Sequence, residues 1–191
     1  MLTLSPRHQT VIAIAAMVIM ALTRSHHVAG LNWLPDATTA LFFLAGVLLA
    51  PVWWVAVLLG EAVLIDWVAI TWGGVSDFCV TPGYAALAIA YPVLWVAGRW
   101  FARGVGDGAA GLGRLLFAVL AGGVVAEVIA SGSFYFLGGR FAEPTLAEFG
   151  ARLIAYGPYS IQSLLLYVGA AVLAYVALKT VSSQHAGQPK A

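Results

Sequence analysis

A single cysteine, Cys79, lies in a polar break, Thr71-Trp-Gly-Gly-Val-Ser-Asp-Phe-Cys-Val-Thr-Pro-Gly-Tyr84, between two strongly apolar stretches. With no second cysteine the thiol cannot be an intramolecular staple. It is either a small buried apolar group or a soft metal ligand or nucleophile. Asp66 precedes it, Tyr84 follows it, His26 and His27 stand in an earlier polar loop, and Arg152 stands in a later one. If the bundle is compact, three sequence-distant loops converge on one pocket and bring these hydrogen-bond donors and acceptors to the sulfur.

The rest of the chain must hold these groups inside lipid. Of 191 residues 62% are hydrophobic and only 9% charged, with a mean hydropathy of +0.94. Soluble domains carry about 25% charged residues, so the bilayer is the solvent for most of this surface. A net charge of +1 with nine basic residues offers no stripe to neutralise phosphates, which argues against nucleic acid. The N-terminus has the charge and apolar run of a signal peptide, but its small-residue pair, Ala13 and Ala15, lies inside the run, so it reads as a retained first helix.

Breaks at Gly, Pro and charge divide the chain into six apolar spans near residues 9–23, 37–50, 52–71, 84–102, 112–137 and 158–181. The first two are short for spanning, so tilt or local thinning must complete them. Residues 144–154 read as a separate surface helix with Pro144 at its start. The segment 182–191 reads as a polar, disordered cytoplasmic tail after a single domain, 1–181.

With the N-terminus inside, Arg7, Arg99, Arg103, Arg114, Lys179 and Lys190 are cytoplasmic, and Arg24, Arg140 and Arg152 are outside. That bias places both termini in the cytoplasm and loops 1, 3 and 5, with Cys79, on the outer face. Each polar side chain there also has a plain reading. His26 and His27 fit the headgroup level, Tyr84 an interfacial aromatic belt, and Arg152 an ion pair with Glu148 four residues earlier. Asp66 lies about one turn inside the bilayer edge, where an ionised carboxylate is costly unless paired or wet. Deeper still, Glu61 and Glu127 either relay protons or hydrogen-bond helices together. No P-loop, H-E-x-x-H or G-x-S-x-G motif is present, and no second thiol completes a zinc site.

Six spans in this length, a lone cysteine in loop 3 and the set His27, Asp66, Cys79, Tyr84 and Arg152 resemble the BtuM family. These are small vitamin B12 transporters related to the substrate-binding S-components of energy-coupling factor (ECF) transporters. The resemblance covers essentially the whole chain and is most specific from Asp66 through Cys79 to Tyr84. It implies an all-α six-helix membrane bundle of S-component type in a bacterial inner membrane, with cobalamin bound in an outward cavity. It also implies that the Cys79 sulfur is axial ligand to the corrin cobalt. A bound metal deprotonates a thiol, and the thiolate can displace the dimethylbenzimidazole base. Asp66 would then accept from, and Arg152 donate to, the carboxamide rim, while His27 meets the rim or approaches cobalt from the other face. Aromatic residues Trp33, Trp72, Phe78 and Tyr84 suit the faces of the ring.

S-components that share an energising module usually carry A-x-x-x-A in helix 1. Here Ala13, Ala15, Ala16 and Ala21 form no such pair; Ala86/Ala90 and Ala170/Ala174 do, elsewhere. A solitary mode of action is therefore the expectation, with removal of cyanide from cyanocobalamin as the one reaction Cys79 would perform on its cargo. Rival readings are an S-component for another vitamin, which leaves Cys79 without a role, and a membrane enzyme with Cys79 as nucleophile and His27 as base. A purely structural membrane subunit is the third.

Overall fold

The computed structural model describes residues 4–24, 34–104 and 108–186. His26, His27 and Trp33 lie outside them. All regular structure among the described residues is helical: α1 (Pro6–Arg24), α2 (Thr38–Leu48), α3 (Trp53–Trp72), α4 (Leu87–Ala102), α5 (Gly108–Leu137) and α6 (Leu146–Ala186). Helices satisfy every backbone group within one segment, which lipid requires. Two 3₁₀ turns, Asp77–Cys79 and Pro82–Ala86, join α3 to α4.

Among the described residues five segments are long and apolar enough to cross a bilayer: Pro6–Arg24, Trp53–Trp72, Pro82–Arg103, Gly108–Leu137 and Leu146–Ser182. The 11-residue α2 falls short of that length, rising only about 16 Å against a hydrocarbon core of about 30 Å. It is nevertheless the centre of the core. Phe42 and Phe43 on α2 are fully buried, together with Leu49 at its end and Met20, Leu58, Leu94 and Leu164 from four flanking helices. Trp53, Leu64, Ile89, Phe117 and Leu173 point outward, as lipid-facing positions do.

The closest helix contact is between α2 and α4, and glycine makes it. A methyl group on Gly98 would strike the carbonyl oxygen of Phe43, and one on Gly46 would strike that of Trp95. Small residues that let backbones approach are the usual device of packing inside membranes. Gly98→Ala should therefore force the helices apart and cost roughly 1–3 kcal/mol. The midpoint of unfolding in mixed micelles should fall, whereas Gly60→Ala, which meets nothing within 4 Å, should not be strained by contact.

Two expectations need correction. The separate surface helix at 144–154 does not exist; it is the first turns of α6, which runs unbroken through Pro158. Thr145 starts it by accepting from the Glu148 amide through its side-chain oxygen (3.2 Å), a cap that outweighs the proline signal at 144. Within apolar surroundings a mid-helix proline is tolerated. The tail is also shorter than expected, because α6 continues to Ala186.

The basic residues separate to two ends. Arg99 donates to the Ala50 carbonyl, and Arg114 to that of Trp100 (2.7 Å), at the end where Gln9 accepts from the Ala50 amide (2.9 Å). Arg24 and Arg152 line a cavity at the other end.

Candidate functional site

The loop after α3 is built to present Cys79. The Ser76 side chain accepts from the Phe78 amide (3.2 Å), closing the first 3₁₀ turn, and the Val80 amide donates to the Asp77 carbonyl (2.8 Å). Phe78 packs edge-to-face with Phe134 of α5, ring centroids 5.7 Å apart, and the Arg140 guanidinium lies over the Phe78 ring, 4.8 Å from its centroid. The second turn begins at Pro82, whose fixed φ suits the first helical position. Gly83 then lies so close to α5 that a side chain would strike the Ser133 carbonyl. This contact sets where Tyr84 enters the bundle. The thiol of Cys79 is exposed and free, so its reading as a small buried apolar group is overturned. No hydrogen bond engages it among the described residues.

Cys79, Asp66, Tyr84 and Arg152 line one cavity of about 430 Å³. They arrive from the loop, α3 and α6, and Phe134, Tyr135, Phe149 and Tyr156 supply aromatic walls from α5 and α6. The sequence expectation that distant segments converge on one pocket is met for these four residues; His27 lies outside the described residues. Such a volume is at the lower end of ordinary ligand pockets, about 300–1,000 Å³.

Asp66 is not free. Its carboxylate receives Arg24 Nε at Oδ1 and Nη2 at Oδ2, both 2.7 Å, and Tyr84 OH at Oδ2, 2.5 Å. The guanidinium is the more buried partner, its side chain 7% exposed against 24% for Asp66. Its Nη1 also donates to Thr38 Oγ1 (3.1 Å) and Tyr91 OH (3.0 Å), with Asp36 Oδ2 at 3.7 Å. One cation thus ties α1, the start of α2, α3 and α4 together beside the cavity. A bidentate fork of this kind is the strong form of an ion pair. Three of the roughly four lone-pair positions of the Asp66 carboxylate are filled from within the protein. It can accept from a ligand only at the remaining one, so its part in binding is narrower than the sequence implied.

Arg24 is the residue that sequence reading passed over. A signal was available: an intramembrane Asp demands a cation, and Arg24 is the lone Lys or Arg between Arg7 and Arg99. Tyr84 is likewise more than a belt aromatic, since its hydroxyl is committed to Asp66. Arg152 stays near Glu148 at a loose 3.9 Å, but its guanidinium also lies 4.6 Å from the centre of the Phe141 ring and 5.8 Å from those of Tyr135 and Tyr156. Tyr135 OH donates to Glu148 Oε2 (3.0 Å), which draws that acid away from Arg152. The arrangement leaves a free soft sulfur, a cation on aromatic faces and a braced carboxylate–phenol pair lining one cavity.

No three His, Cys, Asp or Glu side chains among the described residues gather to hold a bare metal ion. A metal at this site would need to bring its other ligands with it. No known protein-family model matches the chain, and no curated protein matches it.

Proposed function

We propose that this is an uptake protein for cobalamin, held base-off with the Cys79 thiolate as axial ligand to cobalt. The observation that carries the reading is that an exposed, uncommitted thiol shares one aromatic-walled cavity with Arg152, Tyr84 and Asp66. A corrin satisfies what the protein lacks. Its macrocycle supplies the in-plane nitrogens, so one protein sulfur suffices. Its apolar faces fit Phe134, Phe149 and Tyr156, and its carboxamide rim offers carbonyls for Arg152 and an N–H for the open position on Asp66. Cobalamin is larger than the cavity, and so is the corrin with its rim, so in this reading the cavity widens around the ring on capture.

In this reading the bundle is the six-span S-component type, in the bacterial inner membrane with both termini cytoplasmic. It works without a shared ECF module, because α1 lacks the small-residue pair used for docking one. Cargo is delivered by rearrangement of the helices. A thiolate donates strongly to Co(III) and weakens the bond to cyanide across the ring; cyanide leaves with its bonding electrons, and cobalt stays trivalent.

A membrane-impermeant thiol reagent tests site and orientation together. In intact spheroplasts it should label Cys79, and cobalamin should protect against it. Labelling that appears only after membrane disruption would reverse the orientation, and labelling indifferent to cobalamin would remove Cys79 from the site.

A further inference from the structure

Below the cargo cavity the structure holds a second, much smaller one of about 30 Å³. Glu127 of α5 lines it, with the hydroxyl-bearing side chains of Thr39 (α2), Tyr91 (α4) and Ser160 (α6). Ala130 is common to both cavities, and Ser131, a wall residue of the upper one, donates a hydrogen bond to Glu127 Oε1. A carboxylate within a membrane helix needs a positive charge or a proton. Among the described residues no ion pair supplies one: the guanidinium nearest in the network, Arg24, reaches only as far as the Tyr91 hydroxyl and is engaged by Asp66. Among the described residues no other charged side chain lines the small cavity. Its volume is about that needed for one or two water-sized occupants, and a single carboxylate among hydroxyls is too few charges for a divalent ion.

We propose that Glu127 and this cavity form a binding site for one monovalent cation, H⁺ or Na⁺, whose gradient drives cargo movement. The cation enters from the outer side, neutralises Glu127 and lets the contacts between α4, α5 and α6 rearrange; it leaves to the cytoplasm, and its transmembrane gradient is the energy source. The Ser131–Glu127 hydrogen bond is the link, since it joins the wall of the cargo cavity directly to the cation ligand. The coupling rests on the transport reading above, whereas the site itself does not.

Proteoliposomes with the membrane potential clamped separate the two cations, one arm with an inward Na⁺ gradient at equal pH, the other with an inward proton gradient in choline buffer. One arm should raise cobalamin accumulation, by up to about tenfold for a tenfold gradient at one cation per cargo. Glu127→Gln, which keeps size and the Ser131 bond, should abolish that rise while leaving cobalamin binding in detergent unchanged; Ser160→Ala should weaken it. Wild-type accumulation indifferent to both gradients, or a gradient response retained by Glu127→Gln, would overturn the proposal. If the protein binds no cobalamin, infrared difference spectra decide the site alone, with Glu61→Gln in every sample. A carboxyl band that responds to acid or to Na⁺ and disappears with Glu127→Gln supports it; no such band refutes it.

Discussion

Cys79→Ala should abolish cobalamin capture while leaving the fold intact. The side chain is exposed and makes no hydrogen bond among the described residues, so truncating it removes no packing and no internal partner. Its loss would be felt only by a ligand. Groups that merely hydrogen-bond a metal's ligands are worth about 10–100-fold in metal affinity, and loss of the axial sulfur itself should exceed that range. Equilibrium dialysis with cobalamin measures the affinity, and thermal unfolding in detergent should show wild-type stability. Cys79→Ser tests the same point with a hard, weak donor in nearly the same volume, and should bind as poorly as alanine. Cys79→His should recover part of the affinity, because imidazole is a competent cobalt ligand. Wild-type binding by Cys79→Ala would exclude sulfur coordination.

Arg24→Leu should have the largest effect on stability. It strips Asp66 of both charged bonds and Thr38 and Tyr91 of theirs. Breaking a buried pair from one side costs about 3–5 kcal/mol, and the partial exposure of Asp66 puts the expected loss near the lower end, roughly 3 kcal/mol. The double variant Arg24→Leu/Asp66→Leu should be more stable than Arg24→Leu alone, since it removes the orphaned carboxylate. A double-mutant cycle in detergent measures the coupling; additive effects would show that the ion pair carries little. Tyr84 loses its acceptor in the double variant and in the Asp66→Leu arm of the cycle, so cobalamin affinity should drop in both, though less than with Cys79→Ala.

The cavity was legible because its residues are chemically out of place. A thiol in a polar break, an Asp inside an apolar run and an Arg beyond the fifth span each needed a reason, and the structure brings Asp66, Cys79, Tyr84 and Arg152 to one wall or another of the same space. The Arg24 bond to Asp66 was not legible as a pair, because the two are 42 residues apart and no periodicity links them. Only the electrostatic requirement of Asp66 pointed at a cation. The start of α6 was misread because Pro158 resembles a first helical residue, whereas the Thr145 cap and apolar surroundings carry the helix through it. The shortness of α2 was visible in its apolar run between Asp36 and Pro51, but its burial at the centre of the bundle depends on contacts with α4 that only the Gly46 and Gly98 approaches reveal.

The decisive measurement is the visible absorption spectrum of the purified wild-type protein after growth with cobalamin. Sulfur coordination of cobalamin predicts about one corrinoid per chain, with the spectrum of base-off, thiolate-ligated Co(III), which is lost from Cys79→Ala. A colourless protein that also fails to bind added cobalamin, or one carrying the unchanged base-on spectrum of free cobalamin, would contradict it.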